Sequence, residues 1–444
     1  MQFLTAPIKK NVLEIDELVS GAYIGQAVQV NGTVHTIRDM GTITFIVLRK
    51  RSGLLQCVID ESTPGVVIEE GFREASCVEV TGQLITNEKA PGGIEIRLAS
   101  YRILSVPTEP LPIPIAKWKM SAALETKLNL RPISLRNLRE RAKFKIQEAV
   151  GRGFRDFLIS QDFTEIHTPK IGSKGAEGGA NMFKLDYFHK PAILAQSPQF
   201  YKQMMVGVFD RVYEVAPVFR AEKHNTKRHL NEYTSLDFEM GFIDSFVDVM
   251  AMETGALQAI LRLLAQSYAK EINILGITLP SADQIPCVRF DEAKQQVSKK
   301  YDRPIRNPYD LEPEEEVLIS QYYKEEYDAD FVFVTHYPSK KRPVYAMDDP
   351  GDPTFTLSFD CLFRGMEITT GGQRIHDYQM LVDKIEARGM TTEGLEHYLM
   401  AFKHGMPPHG GLGLGLERLT MKLIGEDNVR EATLFPRDLS RLEP

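Results

Sequence analysis

The chain has 444 residues, of which 43% are apolar and 25% are charged, and its net charge is −7. This length exceeds a single ordinary hydrophobic core, so two or three domains are expected, and the composition is that of a globular protein. The negative net charge speaks against a surface that is basic throughout, but it leaves room for a local basic face that binds nucleic acid.

No apolar run is long enough to span a bilayer, and the Lys-containing start lacks the apolar segment of a signal peptide. The four cysteines lie far apart and form no C-x-x-C pair, which predicts reduced thiols rather than a disulfide framework or a zinc ribbon. A cytoplasmic protein without a membrane segment is therefore expected.

Residues 26–104 have the pattern of a small all-β module. Apolar residues alternate along the runs Val28, Val30 and Val34; Ile43, Phe45 and Val47; Val78 and Val80; and Ile94, Ile96 and Leu98. Glycine-containing turns separate these runs. About five short strands predict a closed barrel of the OB-fold type, whose face and loops commonly bind nucleic acid. A small barrel with another purpose has the same pattern.

Several prolines crowd the segment 106–115, and proline at this density forms neither helix nor central strand. The hydrophobic pattern changes after this segment. We therefore expect a barrel domain over residues 1–105, a semi-rigid linker over 106–130 and a second domain over 131–444.

The second domain mixes helical and strand patterns. Apolar stripes predict one helix that is capped by Ser134 and runs to about residue 160, and another over about 245–269. Strands are predicted near 331–335 and 354–363, whereas no role is predicted for the segment 286–343. Because the strands cluster instead of alternating with helices, we expect the α+β class, with an antiparallel sheet flanked by helices.

Three segments carry residue types that suit a catalytic site. The first is a strand that ends at Arg220, a loop with Arg228 and His229, and a returning strand with Tyr233 and Asp237. The planar guanidinium of Arg220 suits a two-point contact with a phosphate. A solvated charged hairpin is the alternative interpretation.

The second segment is a glycine-rich turn from Gly410 to Gly415, followed by Glu417 and Arg418 at the start of a helix that stops at Gly425. Glycine allows a backbone to approach a ligand closely. The segment has no Gly-Lys-Ser/Thr and no surrounding βαβ unit, so it is neither a Walker loop nor a dinucleotide-binding fingerprint. Close packing of a helix on a strand is the alternative.

The third segment carries Asp360, Glu367 and Arg374. Two carboxylates together with nucleotide phosphates are a common way of holding Mg²⁺. On one strand, Asp360 and Glu367 would point to opposite faces, so a bulge or bend is needed for both to reach one ion. Salt bridges to Arg364 and Arg374 are the alternative.

In this order, the three segments and the preceding barrel resemble the class II aminoacyl-tRNA synthetases, in the subgroup with an N-terminal OB-fold that serves aspartate, asparagine and lysine. The resemblance covers essentially the whole chain. Within the subgroup it is to the aspartate enzymes in their short archaeal and eukaryotic form. The segment Gln196-Ser197-Pro198-Gln199 with Lys202 is similar to their Q-S-P-Q-x-x-K motif.

The resemblance implies that aspartate is activated with ATP and transferred to the 3′ end of tRNA(Asp), with tRNA(Asn) left open as a second acceptor. The implied aspartate site comprises Glu177, Gln199, Lys202, Asp237 and Arg374. An amide in place of the side-chain carboxylate would leave Lys202 and Arg374 unpaired, which favours aspartate. Glu177 would act from a mobile loop, and Asp237 would hold the substrate ammonium group.

For the nucleotide, the resemblance implies Arg220 at the α-phosphate as the catalytic residue, without a general base. The implied ATP site comprises Arg220, Glu222, Arg228, His229, Tyr233, Glu367, Thr370, Gly415 and Arg418. Tyr233 and Arg418 would lie on either face of the adenine, and His409 would line the same pocket. Mg²⁺ is the implied cofactor, held by Asp360, Glu367 and Thr370.

In the barrel, Arg38, Phe45 and Gln56 match anticodon-reading residues of the family in type and spacing. Phe45 as a simple core residue is the alternative. Many members have Trp where this chain has Thr33. Thr33 and His35 fit neither the enzymes that charge only tRNA(Asp) nor those that also charge tRNA(Asn).

Two other functions remain as alternatives. An asparaginyl-tRNA synthetase shares all three segments, although Lys202 and Arg374 speak against it. A paralogue without aminoacylation would bind RNA or form asparagine. The resemblance also implies a homodimer, with an interface made by the long helix and by the strand that ends at Pro169.

Overall fold

The computed structural model describes residues 12–63, 65–175, 181–224 and 226–443. The chain divides into two compact units, Met1–Glu140 and Arg141–Pro444. Across the described residues, no helix combines the length and the apolar character needed to cross a membrane.

The first unit contains a closed five-stranded barrel. Its elements are α1 (Ile15–Val19), β1 (Ala27–Asp39), β2 (Thr44–Lys50), β3 (Gly53–Ile59), β4 (Cys77–Thr86), β5 (Ile94–Ser105), α2 (Leu124–Asn129) and α3 (Arg131–Ser134). The strands follow the order β1-β2-β3-β5-β4 around the barrel. β3 and β5 pair in parallel, whereas the other neighbours pair antiparallel. The predicted OB-type barrel is therefore confirmed.

Strand β2 presents a different face to the barrel core than the sequence predicts. Ile46 and Leu48 belong to the core, whereas Ile43 is exposed and Phe45 is half-buried. The strand is apolar on both faces, so alternation alone does not fix which residues point inwards; pairing with β1 and β3 does. Phe45 therefore lies outside this barrel core.

The long helix α4 (Leu138–Ser160) starts later than predicted. Residues 106–123 contain neither helix nor strand. Ser134 ends α3 instead of capping α4. The cap is Asn137, whose side-chain oxygen accepts hydrogen bonds from the backbone amides of Arg139 and Glu140 at 3.0 and 3.2 Å. Asn and Ser cap helices about equally well, so the sequence pattern did not distinguish them.

The second unit continues from α4 with a mixture of strands and helices. They are β6 (Thr164–Glu165), β7 (Ile171–Gly172), β8 (Lys184–Tyr187), β9 (Lys190–Leu194), α5 (Gln199–Phe209), β10 (Arg211–Phe219), β11 (Glu232–Gly241), α6 (Phe246–Ser267), α7 (Ala269–Leu275), β12 (Cys287–Arg289), α8 (Phe290–Lys300), α9 (Pro313–Tyr327), β13 (Phe331–Thr335), β14 (Ser358–Phe363), β15 (Met366–Arg374), α10 (Tyr378–Ala387), α11 (Glu396–Lys403), β16 (His409–Gly415) and α12 (Leu416–Leu423). The predicted helix over about 245–269 is present as α6 and α7, and Ser245 caps α6, since its side chain accepts a hydrogen bond from the amide of Val247.

The main sheet has the order β12-β13-β14-β15-β16-β11-β10-β6, and β7, β9 and β8 form a separate small sheet. Neighbours in the middle of the main sheet are antiparallel, but β12 pairs with β13, and β6 with β10, in parallel. The sheet is therefore mixed rather than antiparallel throughout. Each edge pair is joined by a long connection that contains a helix, which is what a parallel pair requires. The α+β class is confirmed.

Helices α4 and α6 pack with the sheet in the main apolar core of this unit. They approach closely at Gly153, where a Cβ would lie 2.9 Å from the Cα of Ile260. Glycine here allows the two backbones to come together, and both helices contribute to the apolar core that packs on the sheet.

The glycine-rich segment is a central strand and not a turn. β16 lies between β15 and β11 and leads directly into α12. A Cβ at Gly411 would collide with the carbonyl oxygen of Phe238 and the carboxylate of Glu239, and one at Gly410 would lie 2.7 Å from the carbonyl oxygen of Gly372. Glycine is required because the neighbouring strands, and a buried carboxylate, approach this backbone so closely.

Candidate functional site

A cavity of about 290 Å³ lies against β11, β15 and β16, beside α5 and the loop between β10 and β11. Most of the predicted active-site residues line it: Gln199, Lys202, Arg220, Glu222, Arg228, His229, Tyr233, Asp237, Glu367, Thr370, Arg374, Gly415 and Arg418. These residues come from segments far apart in the sequence. They meet because β11, β16 and β15 are neighbours in the sheet.

Two of the predicted residues that the structure describes, Asp360 and His409, are not in this lining. Glu177 lies outside the described residues. Asp360 is buried behind Arg342, whose guanidinium nitrogen lies 2.8 Å from its carboxylate. The prediction that His409 lines the pocket is wrong, because its ring lies deeper along β16, where Gln203 contacts it and the ring of Phe402 lies 6.0 Å away.

His409 belongs to a buried chain of hydrogen bonds behind the cavity. The hydroxyl of Tyr398 donates to Gln203 at 2.9 Å, and the amide nitrogen of Gln203 lies 3.0 Å from Nε2 of His409. Nδ1 of His409 donates to the carbonyl oxygen of Pro407 at 2.9 Å. Burial lowers the pKa of His409 to about 4, so the ring is neutral and serves to fix the neighbouring residues.

The inner end of the cavity is a buried network of two cations and two carboxylates. Nζ of Lys202 lies 2.9 Å from Asp237 and 3.2 Å from Glu239, and it donates to the carbonyl oxygen of Leu412 at 2.8 Å. Arg374 donates to the other oxygen of Glu239 at 2.8 Å. Burial alone would raise the pKa of Glu239, but Arg374 and Lys202 outweigh burial and hold this pKa below its usual value.

This network corrects one step of the sequence interpretation. Lys202 and Arg374 do not depend on a substrate for a partner, because Asp237 and Glu239 already pair with them. Sequence reasoning missed the role of Glu239, although its position two residues after Asp237 on one strand places both side chains on the same face. The second oxygen of Asp237 is buried and makes no hydrogen bond within the described residues, which leaves an acceptor for a ligand.

The outer end of the cavity is rich in guanidinium groups. The amide of Arg220 donates to the carbonyl oxygen of Asn231 at 2.9 Å, and its guanidinium lies 5.7 Å from the centre of the Tyr233 ring. Arg418 donates to the backbone oxygen of Glu367 at 3.1 Å and to its carboxylate at 3.3 Å. The structure therefore brings the predicted phosphate and adenine contacts to one end of the cavity.

The loop between β10 and β11 is held by one contact within the loop and by one contact to helix α9. The hydroxyl of Thr226 lies 2.6 Å from Nδ1 of His229. Burial, together with the nearby cation of Arg418, lowers the pKa of His229, so this ring is neutral near pH 7. Arg228 pairs with Glu316 of α9 at 2.5 Å, a partner that sequence reasoning missed.

The bulge required by the sequence argument is present between β14 and β15. Asp360 pairs with Thr370 across this antiparallel hairpin, and the register then shifts so that Ile368 is the extra residue. The shift turns Glu367 to the same side as Thr370, whose hydroxyl lies 3.3 Å from the Glu367 carboxylate. Asp360 lies on β14 and Glu367 on β15, so the two residues are on two strands rather than one. Both lie next to Thr370.

The two carboxylates of this hairpin are electrostatically linked. Burial raises the pKa of Asp360 to about 6; Arg342 opposes this rise and Glu367 adds to it. For Glu367, burial is outweighed by Arg418 and further guanidinium groups, so its pKa is lowered. Within the described ranges no group of three or more His, Cys, Asp or Glu side chains forms a metal cluster. Arg342, which stacks 3.8 Å from the centre of the Tyr337 ring, was not predicted.

The predicted residues of the barrel also form one cluster. Arg38 donates to the side-chain oxygen of Gln56 at 3.1 Å, and its guanidinium lies 5.7 Å from the centre of the Phe45 ring. The nitrogen of Gln56 donates to Glu95 at 2.8 Å. Sequence reasoning missed Glu95 because it reaches Gln56 through the non-local parallel pairing of β3 with β5. His35 is buried.

Residues 123–439 match the family of class II tRNA synthetases (D, K and N), and residues 28–104 match the OB-fold nucleic acid binding domain. The chain is 48% identical over 447 residues to an aspartate–tRNA(Asp/Asn) ligase of Deinococcus radiodurans, covering 99% of this chain and 100% of that protein. It is 40% identical over 428 residues to an aspartate–tRNA(Asp) ligase of Pyrococcus abyssi, covering 95% and 97%. The structure of an asparaginyl-tRNA synthetase from Pyrococcus horikoshii, complexed with asparaginyl-adenylate, matches with a TM-score of 0.89 at 30% identity, covering 98% and 99%.

The family match over residues 123–439, together with the OB-type barrel and the mixed sheet with its charged cavity, identifies a tRNA synthetase of class II. The chain belongs to the class II tRNA synthetases of the D, K and N group. It is a ligase with an OB-fold nucleic acid binding domain, and the family resemblance drawn from its sequence is confirmed.

Proposed function

We propose that this chain is an aspartate–tRNA ligase, which activates L-aspartate with ATP and transfers it to the 3′ end of tRNA(Asp). The inner end of the cavity carries the proposal. Asp237 offers a buried acceptor oxygen without a hydrogen bond in the described residues, which suits the substrate ammonium group. Nε2 of Gln199 is likewise buried without a described partner and suits a substrate oxygen. Glu177 completes the proposed aspartate site.

Selection of a carboxylate over an amide follows from the fixed orientation of Arg374. Glu239 and the carbonyl oxygen of Gly411 engage Nε and Nη2 of Arg374 and hold the guanidinium in place while it lines the cavity. Arg374 presents only donors, whereas the three N–H groups of Lys202 are taken up by Asp237, Glu239 and the carbonyl oxygen of Leu412. A substrate carboxylate accepts from Arg374 with either oxygen, whereas the NH₂ of an amide would face N–H groups of Arg374 and lose its hydrogen bonds.

At the outer end, ATP contacts the residues of the β10–β11 hairpin and of α12. Arg220 holds the α-phosphate, and the ring of Tyr233 and the guanidinium of Arg418 hold the adenine. The proposed ATP site further includes Glu222, Arg228, His229, Glu367, Thr370 and Gly415.

The aspartate α-carboxylate attacks the α-phosphorus, the bond to the pyrophosphate oxygen breaks, and aspartyl-adenylate forms. No side chain takes a proton in this step, so catalysis consists of positioning and of charge stabilisation by Arg220. A terminal hydroxyl of tRNA then attacks the activated carbonyl and AMP leaves.

Asp360, Glu367 and Thr370 would hold Mg²⁺, which would neutralise charge on the ATP phosphates. The residues fit such an ion because the bulge directs Glu367 towards Thr370 and because the pKa of Asp360 is raised by burial and by the second carboxylate. A cation between two such groups favours their ionised forms.

The cluster of Arg38, Phe45 and Gln56 is proposed to read the anticodon. The Phe45 ring is outside the barrel core and offers a face for an unstacked base, while Arg38 and Gln56 offer polar groups for its edge. Replacing Phe45 by Ala is expected to raise KM for tRNA about tenfold, within the range for one lost base stack, and to leave ATP–pyrophosphate exchange unchanged. Loss of both activities together would contradict this assignment.

A homodimer in the cytoplasm is the proposed working form. The short strand β6 lies at the edge of the main sheet, and Ile159 of α4 is a large exposed apolar side chain nearby in the sequence. An open sheet edge and an exposed apolar residue are features of a surface that pairs with a second copy. Sedimentation that finds a fully active monomer would overturn this proposal.

The decisive experiment is the charging of purified tRNA(Asp) and tRNA(Asn) transcripts with labelled aspartate, with labelled asparagine as the control. Aspartate on the first tRNA alone indicates an enzyme that discriminates, and aspartate on both indicates one that does not. Asparagine is the second candidate substrate, favoured by the fold match to asparaginyl-tRNA synthetase. Charging with asparagine alone would overturn the assignment of Arg374 and Lys202.

A further inference from the structure

Helix α9 sends one carboxylate towards the outer end of the cavity. Oε2 of Glu316 accepts hydrogen bonds from Nη2 of Arg228 at 2.5 Å and from the backbone amide of Glu367 at 2.9 Å. Glu316 is buried and is not in the cavity lining. A single oxygen atom from outside the cavity thus joins the loop between β10 and β11 to the start of strand β15.

We propose that Glu316 is a positioning residue for the ATP site: it holds Arg228 and the Glu367 end of β15 in the arrangement that the nucleotide requires. This inference rests on the proposed assignment of Arg228 and Glu367 to ATP. It also gives a role to the segment 286–343, which folds around α8, α9 and β13.

The geometry at Arg228 supports a pair that persists when ATP is bound. Glu316 uses Nη2 of the guanidinium, whereas Nε makes no hydrogen bond within the described part of the chain. A planar guanidinium fixed at one nitrogen still presents its other N–H groups to a phosphate in a defined direction. Arg228 is on a loop, so without this partner its side chain would have to lose rotamer freedom when ATP binds.

The hydrogen bond between Glu316 and the backbone amide of Glu367 has a second effect. The Glu367 amide lies beside the extra residue Ile368, where the register of β14 and β15 shifts and strand hydrogen bonding is interrupted. Glu316 supplies an acceptor for this amide from another element. The same residue thereby fixes the backbone that directs the Glu367 carboxylate towards Thr370 and Arg418.

The neighbouring residue is a matched control. Glu315 is also buried on α9, but it pairs with Lys294 at 2.6 Å and with Arg303 at 2.9 Å, away from the cavity. Glu315→Gln is expected to lower the melting temperature and to leave KM for ATP unchanged. Glu316→Gln is expected to raise KM for ATP about tenfold in ATP–pyrophosphate exchange, with KM for aspartate unchanged. Glu316→Asp keeps the charge and should raise KM for ATP by less.

A double-mutant cycle with Arg228→Ala separates this inference from the proposed function. If the inference holds, Arg228→Ala raises KM for ATP, and adding Glu316→Gln to it changes KM little further. Glu316→Gln without effect on KM for ATP, while Arg228→Ala raises it, would overturn the inference alone. Arg228→Ala without effect would overturn the assignment of Arg228 to ATP. Equal changes in Glu315→Gln and Glu316→Gln would also overturn the inference, because they indicate a role in folding only.

Discussion

Buried carboxylates are compensated by nearby cations to different extents at the two ends of the cavity. At the inner end, Glu239 is fully buried and still has a pKa below its usual value, because Arg374 and Lys202 outweigh the effect of burial. At the outer end, burial raises the pKa of Asp360 to about 6 and that of Glu316 to about 7, although guanidinium groups are close to both. The inner end is therefore compensated by its own residues, whereas at the outer end guanidinium groups compensate Glu367 but not Asp360 or Glu316.

This difference indicates where each substrate supplies charge. In a compensated network each charge is held by its partners. Removing one charge therefore destabilises the folded chain and also disturbs the substrate site. A carboxylate whose pKa is raised by burial gains from a nearby cation, and half-buried guanidinium groups gain from phosphates, so the outer end suits a magnesium–nucleotide complex. Inner-end substitutions should therefore affect stability and activity together, whereas outer-end substitutions should affect mainly activity.

The largest effect is expected from Lys202→Met, which leaves Asp237 and Glu239 buried beside each other without this cation. Breaking a buried pair from one side costs about 3–5 kcal/mol of unfolding free energy, and aspartate activation should be lost as well. Denaturant unfolding and ATP–pyrophosphate exchange measure the two effects. Lys143→Met is the matched control, because Lys143 is a buried cation paired with Glu431 at 2.7 Å elsewhere.

The control variant should lose stability to a similar extent and keep its KM for aspartate. A Lys202→Met protein as stable as the unmodified chain would break the comparison between the two ends, since the inner network would then not support the fold.

Arg220→Ala tests the outer end. Removing the α-phosphate contact should lower the rate of ATP–pyrophosphate exchange about 10²–10³-fold, the range for one preorganised donor to a developing charge. The unfolding free energy should change by less than about 1 kcal/mol, and tRNA binding should persist. Lys223→Ala, an exposed cation of the same loop, should leave exchange unchanged. Full activity of Arg220→Ala would show that the α-phosphate contact is misplaced.

Glu253→Gln extends the comparison to the far side of the sheet. Glu253 of α6 lies beside Thr369 and Cys361, and neither of its oxygens makes a well-formed hydrogen bond in the described residues. Burial raises its pKa from 4.5 to about 8. The unfolded chain therefore loses this proton first as the pH rises, so stability falls between about pH 4.5 and 8, by up to about 1.4 kcal/mol per pH unit.

The variant removes this dependence, so it should match the unmodified chain near pH 5 and be more stable at pH 8. Urea unfolding at several pH values measures the difference. A difference that does not change with pH would contradict the raised pKa of Glu253.

The smallest effect concerns the magnesium requirement. Protonation of Asp360 competes with Mg²⁺ below its pKa of about 6, so the concentration for half-maximal exchange should rise up to about tenfold per pH unit below this value. In Asp360→Asn the requirement should be higher at all pH values and flatter with pH. A requirement in the unmodified chain that stays constant from pH 7.5 to pH 5 would exclude Asp360 as a ligand with this pKa.

Much of the architecture follows from local patterns in the sequence. Alternation and turns predict the barrel strands, an apolar stripe predicts α6, and the segment around Arg220 predicts a hairpin that lines the cavity. These features are local because a cap, a turn or an alternating face depends on residues within a few positions of one another.

The tertiary structure decides what depends on pairing between distant segments. It places Ile46 and Leu48 instead of Phe45 in the barrel core, and it makes the glycine-rich segment a central strand above Glu239. It also pairs Arg374 with Glu239 and Arg228 with Glu316. The two residues of such a pair are far apart in the chain, so their local spacing in the sequence cannot predict the contact. Their charges come together only through the order of strands in the sheet and the packing of α9.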